Sequence, residues 1–423
     1  MSAAFAPQPN LAEVFARVRA VTSELIAGLH PEDLQLQSMT EASPGKWHLA
    51  HTSWFFEEFV LARDPSYRPF DPAYRYLFNS YYESVGDRHP RPRRGLLSRP
   101  LLSEVLAYRR HVDEAMARRI EEGLTPELAA VVELGCHHEQ QHQELLLTDL
   151  LHAFSFNPCA PAYAPAPEDP PPSDARALPL TWRAFGEGIF EIGAPPEGFA
   201  FDNERPRHRV FVEPFELSNR LVTNGEYLAF IRDGGYRRFE LWLSEGFDAV
   251  KAGGWSAPLY WRERDGAWFE FGLHGLRPLR LDAPVSCLSY FEADAYARWA
   301  GARLPTEQEW EVASAHATGE PNLLDGRRFE ALPARADGLT QMFGDLWEWT
   351  SSSYAPYPGY RPLAGALGEY NGKFMCNQYV LRGGSFATAA SHLRPSYRNF
   401  FPTSARWQFT GIRLARGGPS ERS

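Results

Sequence analysis

Apolar positions recur at three- and four-residue steps over 11–29, 45–62, 103–124 and 126–154, the spacing that lays one apolar stripe along an α-helix. Four such segments predict an antiparallel four-helix bundle. The second and third are separated by a long loop over 63–100, rich in Pro, Tyr and Arg and carrying Asn79-Ser-Tyr-Tyr-Glu83. Loops of that length inside compact domains tend to be functional. The helical period ends at NPCAPAYAPAPEDPPPSDARALP, which cannot continue a helix and favours extended backbone. Residues 157–179 are therefore read as a linker between a helical domain over 1–156 and a second domain over 180–423. In the latter, short β-rich pieces such as 210–212 are broken by Gly and Pro, with helices predicted over 224–233 and 290–300, an irregular α+β pattern.

Some positions on the helical stripes are not apolar. In Cys136-His-His-Glu-Gln-Gln-His-Gln-Glu144, His138 and His142 stand one turn apart and project from one face. Val131, Leu134, Leu145 and Asp149 share that stripe, so two imidazoles point into the bundle, where polar groups without partners are costly. An HxxxH pair alone also occurs by chance on surface helices. A third histidine changes the reading: in Trp47-His-Leu-Ala-His-Thr-Ser-Trp-Phe-Phe-Glu57, His51 lies on a stripe with Phe55 and Phe59 and faces the same interior. His48, one turn earlier, is the rival ligand, and His137, offset by about 100° from His138, is read as a non-ligand. Three neutral imidazoles leave a divalent ion open positions, suiting zinc with an activated water or iron with oxygen and a substrate. Glu139 and Glu144 either orient the imidazoles or, as the helix pattern favours, are solvated at the surface.

Length and composition narrow the class. A chain of 423 residues suits two domains of roughly 100–200 residues each, and 44% hydrophobic with 14% aromatic residues argues for packed cores. The net charge of -10, with arginines scattered among acids, speaks against a nucleic-acid partner; the local exception is the cluster of His89, Arg91, Arg93 and Arg94. Four cysteines without a CxxC pair fit a reducing compartment. No basic leader and no run of roughly 18 apolar residues appears, so a cytoplasmic protein without a membrane partner is expected.

At this point the chain resembles known families. The N-terminal half resembles DinB-like metal-binding four-helix bundles. The C-terminal half resembles the formylglycine-generating-enzyme-like fold related to C-type lectins, through Leu221-Val-Thr-Asn-Gly-Glu226, Arg303-Leu-Pro-Thr-Glu-Gln-Glu-Trp310, Gly344-Asp-Leu-Trp-Glu-Trp349, Leu381-Arg-Gly-Gly-Ser385 and Gly411-Ile-Arg413. The domain order, with HLAHTSWFFE and HHEQQHQE, makes nearly the whole chain similar to the ergothioneine-biosynthesis sulfoxide synthases of the EgtB type.

The resemblance implies an iron(II) enzyme that joins a cysteine-type thiol to C2 of the imidazole of hercynine (N-α-trimethylhistidine), with O2 oxidising the sulfur to a sulfoxide. It assigns the iron ligands to His51, His138 and His142. Family members that take γ-glutamylcysteine carry an Asp, and an Arg four residues later, after an Asn-Trp pair. Here Tyr397-Arg-Asn-Phe-Phe-Pro-Thr-Ser-Ala405 puts Phe400 for the Trp, Phe401 for the Asp and Ala405 for the Arg, a departure that favours free cysteine. A cysteine carboxylate then needs a cationic clamp, for which Arg91 and Arg94 are the candidates. Tyr81 or Tyr82 is the candidate proton donor, with packing as its alternative role. Gln141, Asn399 and Phe400 are the candidate lining for the trimethylammonium group, and the site is expected where the two domains meet. Three rivals remain: a zinc-dependent DinB-like thiol transferase, against which the attached second domain argues; formylglycine generation, which needs a C-terminal cysteine pair although no cysteine follows Cys376; and a binding protein with structural histidines.

Overall fold

In the computed structural model, residues 10–166 and 177–417 are described, so the middle of the predicted linker lies outside the described residues. The chain divides into two compact units, Met1–Ala153 and Phe154–Ser423.

The first unit is helical: α1 (Leu11–Ile26), α2 (Gly45–Phe59), a single turn α3 (Tyr74–Leu77), α4 (Leu102–Glu121) and α5 (Pro126–Ser155). Asn10 begins α1 by accepting the Ala12 N–H at 3.2 Å, satisfying one of the donors a helix start leaves open. The four long segments appear where the period places them, but α2 departs from the predicted one-faced stripe: every residue from Gly45 to Phe59 is buried except the half-buried Glu58. Trp47, Leu49, Trp54, Phe55, Phe56 and Phe59 are distributed around its whole circumference, and a helix apolar all round is a central one. It stops at Phe59, and the predicted last turn is a tighter 3₁₀ turn, Leu61–Arg63. Gly135 lets α5 come close to α2. A Cβ there would lie 2.9 Å from Phe55 Cε1 and nearer still to Phe56 Cε1, closer than packed carbons tolerate.

The long 63–100 segment is ordered around Asn79. Its side-chain oxygen accepts the Tyr82 N–H at 3.1 Å, and its amide donates to the carbonyls of Tyr82 and Gly86, both at 3.0 Å. A 3₁₀ turn, Arg91–Leu96, follows.

The second unit is sheet-rich. β1 (Trp182–Phe185), β4 (Phe215–Ser218) and β12 (Ala415–Gly417) form one sheet in the order β1-β4-β12, while β2 (Gly188–Ile192) and β3 (His208–Val212) pair as a hairpin. A second three-stranded sheet runs β5 (Trp261–Arg264), β6 (Ala267–Gly272), β7 (Gly275–Pro278). The largest sheet has the order β10-β9-β8-β11, from β8 (Trp347–Ser353), β9 (Gln378–Arg382), β10 (Asn399–Pro402) and β11 (Thr410–Gly411). One buried core gathers Phe215, Leu217, Trp310, Leu339, Met342 and Ala415. The Trp310 indole donates to Glu348 Oε2 at 2.7 Å, and Arg413 holds the same carboxylate at 2.7 and 2.8 Å.

The two predicted helices are present as α6 (Asn224–Arg232) and α8 (Tyr290–Trp299), joined by α7 (Ser244–Gly253) and α9 (Glu307–Ser314). α6, α8 and α9 each open with a capping box: Thr223 with Glu226, Ser289 with Glu292, Thr306 with Glu309, in which side chain and backbone satisfy each other's donors. No helix among the described residues is long and apolar enough to cross a membrane, and Cys136, Cys159, Cys287 and Cys376 are all free thiols.

Candidate metal centre

His51 of α2 and His138 and His142 of α5 converge in the first unit, one ligand atom from each lying within 4.8 Å of the others. The ring centroids are 5.0 Å (His51–His138), 4.8 Å (His51–His142) and 4.6 Å (His138–His142) apart. His51 is held on both faces, stacked on Trp47 at 4.5 Å and on Trp54 at 5.6 Å. His138 stacks on Phe55 at 4.8 Å. The aromatic circumference that makes α2 the central helix thus fixes the planes of the imidazoles.

The hydrogen bonds fix the chemistry of one ring outright. His51 Nδ1 lies 2.6 Å from the carbonyl of Phe78, and a carbonyl can only accept, so Nδ1 carries the proton. Nε2 is then a lone pair, buried and without a hydrogen-bond partner. An acceptor left dry in this way is costly, and a cation is the group that fits it. Burial holds all three rings neutral: His51 is pushed well below the usual imidazole range by burial and then by His138, and His142 by burial and its neighbouring histidines. For His138, burial brings the value down to about 3 against the opposing pull of Glu139. Neutral imidazoles are the ligating form. A donor set of three nitrogens, with one acceptor orphaned toward the cluster, fits a divalent transition metal.

Glu139 corrects the surface role favoured for it. Its carboxylate is fully buried, accepting from Arg109 at 2.6 Å, Arg19 at 2.9 Å and Thr22 at 2.6 Å. Burial alone would raise it, but Arg109 and Arg19 prevail and hold the carboxyl down to about 2. His48, the rival ligand, stands outside the three-histidine set. Its Nδ1 is 2.8 Å from His142 Nδ1 and its Nε2 3.0 Å from Asp149 Oδ2.

The loop arginines separate. Arg94 is buried, with its guanidinium 3.5 Å from the centroid of Trp47, the tryptophan that stacks on His51. It donates to Ser43 Oγ at 2.9 Å and weakly to Ser80 Oγ at 3.4 Å, and its Nε is buried without a hydrogen-bond partner. Burial, and then Arg91, push this guanidinium down to about 8, a strain that an anion would relieve. Arg91 is exposed and donates to the Glu41 carbonyl.

Tyr82 is 1% exposed, its ring 5.1 Å from Phe59 and 5.7 Å from Trp54, with Tyr81 packed on it at 4.8 Å. Tyr81 is half-buried, as is Gln141 on α5 next to His142.

In the second unit, Asn399, Phe400 and Phe401 lie on β10, which pairs with β9 as Asn399↔Leu381, Phe400↔Val380 and Phe401↔Tyr379. Alternation along a strand puts Phe400 on one face and Asn399 with Phe401 on the other, so Asn399 and Phe400, expected to share one lining, are on opposite faces of β10. Phe400 stacks on Tyr354 at 4.0 Å, and Phe401 meets Trp407 edge-on at 5.8 Å. Trp47 and Trp54 went unassigned in the sequence; their three- and four-residue offsets from His51 on one helix were the available signal.

Comparison with known proteins agrees with this division. Residues 15–146 match the family model described as the DinB superfamily, and residues 184–331 and 325–417 match the Sulfatase-modifying factor enzyme 1-like domain. The fold and site therefore define a two-part protein, a DinB-type bundle with a three-histidine cluster followed by a formylglycine-generating-enzyme-like domain. The chain is 35% identical to a hercynine oxygenase of Mycobacterium tuberculosis, over 96% of this chain and 98% of that protein. It is 34% identical to one of Mycolicibacterium thermoresistibile, over 96% and 95%. It is also 31% identical to ergothioneine biosynthesis protein 1 of Schizosaccharomyces pombe, over 52% of this chain and 28% of that protein. The chain belongs to the hercynine oxygenase family, and it is an oxygen-dependent oxidoreductase.

Proposed function

We propose that this protein is an iron(II) sulfoxide synthase that couples L-cysteine to C2 of the hercynine imidazole in ergothioneine biosynthesis. The balance is hercynine plus thiol plus O2 to sulfoxide plus water. The C2–H and S–H bonds are lost as C–S forms, one oxygen atom goes to sulfur, and the other leaves as water with the two hydrogens. That four-electron balance calls for no further reductant.

His51, His138 and His142 would hold the iron, which supplies a place for O2 and the thiol to exchange electrons. The observation that carries the reading is the buried Nε2 of His51, an acceptor without a hydrogen-bond partner within a cluster of three neutral imidazoles. The thiol's carboxylate is assigned to Arg94, the buried guanidinium without an ion pair among the described residues, with Arg91 as the outer cation. A bidentate guanidinium grip would orient the cysteine and replace water at the carboxylate. Tyr82 and Tyr81 are the proton donors for oxygen reduction, their phenol O–H being the weak acid beside the aromatic wall of the site. Gln141, next to His142 on α5, is assigned to hercynine.

The test is anaerobic loading with iron(II), then hercynine, air and either cysteine or γ-glutamylcysteine, followed by oxygen uptake and mass spectrometry of the sulfoxide. Sulfoxide from cysteine with one O2 consumed per product is expected. Equal turnover of γ-glutamylcysteine would overturn the thiol assignment, and thiol transfer supported by zinc without oxygen uptake would overturn the reaction.

A further inference from the structure

We propose that His48, anchored by Asp149, is a positioning residue that fixes the proton of His142 on Nδ1 and so reserves Nε2 for the metal. The inference rests on the three-histidine reading and deepens it by naming what sets the ligating form of one of the three.

The argument is a count of donors. Asp149 Oδ2 accepts the backbone N–H of Ser43 at 2.8 Å and faces His48 Nε2 at 3.0 Å. A carboxylate oxygen in that position accepts from His48, which places a proton on His48 Nε2. His48 Nδ1 in turn lies 2.8 Å from His142 Nδ1, which leaves Nε2 as the nitrogen that His142 can offer a metal. A ligating Nε2 carries no proton, so on the three-histidine reading the His142 proton sits on Nδ1 and is donated to His48 Nδ1. His48 and Asp149 are 4% and 7% exposed, so the relay is built from buried side chains rather than from water. His51 reaches the same end with a backbone carbonyl, Phe78, at Nδ1. Outer partners of this kind tune ligand orientation and basicity and change metal affinity by about 10–100-fold.

The experiment is anaerobic titration of metal-free protein with Co(II), reading affinity and visible absorption, alongside the melting temperature of the metal-free form. His48→Gln keeps the polarity of the neutral ring, one oxygen to accept from His142 and one amide to donate to Asp149; His48→Leu keeps bulk and removes both. Affinity for Co(II) within a few-fold of the parent is expected for His48→Gln, with a loss of about 10–100-fold and an altered absorption band for His48→Leu. Asp149→Leu, which leaves the imidazole in place, approaches the same point independently and should weaken binding in the same direction. Parental affinity and spectrum in His48→Leu and Asp149→Leu would overturn the proposal, as would equal losses in His48→Gln and His48→Leu. Parent protein that takes up no Co(II) would instead sink the three-histidine reading, and this inference with it.

Discussion

Two consecutive residues of α5, His138 and Glu139, open onto buried polar clusters built on opposite terms. Around Glu139, two cations and two anions close on one another: Arg19 bonds Glu139 at 2.9 Å and Asp113 at 2.6 Å, and Arg109 bonds Glu139 at 2.6 Å. Thr22 and Ser53 take further valences, with Thr22 donating to Glu139 and Ser53 accepting from Arg19. Around His138, three neutral nitrogen donors gather within 4.8 Å and no anion is part of the set. Both clusters are buried at comparable depth, so burial does not tell scaffold from site. What distinguishes them is charge: the first pairs its cations with carboxylates of the protein, and the second gathers three nitrogen donors with room for a cation from outside.

The largest effect should come from breaking the closed cluster. Glu139→Ala strands buried Arg109 and leaves Arg19 with Asp113 alone, and losing one partner of a buried ion pair costs about 3–5 kcal/mol; urea unfolding of the metal-free protein measures it. A loss below about 1 kcal/mol would show that the network is not scaffold. The open cluster should respond to metal instead. Iron(II) or Co(II) at 100 times its dissociation constant adds about 2.7 kcal/mol to the stability of the parent and nothing to His138→Ala. A metal-dependent gain that survives in His138→Ala would erase the distinction. Gly135→Ala probes the wall between the clusters. The added methyl pushes on Phe55 and Phe56, and because Phe55 stacks on His138, a loss of about 1–3 kcal/mol from overpacking should come with weaker metal binding. Unchanged metal affinity in a destabilised Gly135→Ala would mean that the imidazoles do not depend on that wall.

How much of this the sequence disclosed follows the same line. The His138–His142 spacing and the matching stripe of His51 were readable because helical periodicity brings residues three and four apart together within one element. Glu139 was misread as solvated because its partners are 120 and 30 residues away, on α1 and α4, and no local pattern announces them. Likewise His48 looked like a rival ligand, its acceptor Asp149 being 101 residues distant. Helix α9 went unpredicted although Thr306 and Glu309 carry the capping-box spacing within a motif already singled out, so that signal was present and unused. Order in the 63–100 loop depended on the side chain of Asn79 reaching backbone groups three and seven residues on, a contact that propensity does not encode.

The smallest effect should come from Asp113, and its sign sharpens the comparison within the closed cluster. Its side chain is 32% exposed, and pairs open to solvent contribute about 0–1 kcal/mol. Burial, opposed by Arg19 and Arg109, leaves its carboxyl above the usual aspartate range, whereas that of Glu139 is depressed to about 2. The folded state therefore binds more protons at Asp113 than the unfolded chain does just above the usual aspartate range, and fewer at Glu139 between the usual glutamate range and about 2. By linkage, ionising Asp113 lowers stability as pH rises through its raised value, while the Glu139 contribution is complete at neutral pH and fades as pH falls toward about 2. Asp113→Asn keeps an oxygen to accept from Arg19 Nε and removes the charge. Relative to the parent it should cost about 1 kcal/mol or less at pH 7 and compare less favourably at pH 3.5, where the parent carboxyl is already protonated. Urea titrations of both proteins at the two pH values decide it. The reverse ordering would place Asp113 beside Glu139 as an equal anion of the cluster, making the closure a matter of two full ion pairs rather than one carboxylate shared by two arginines.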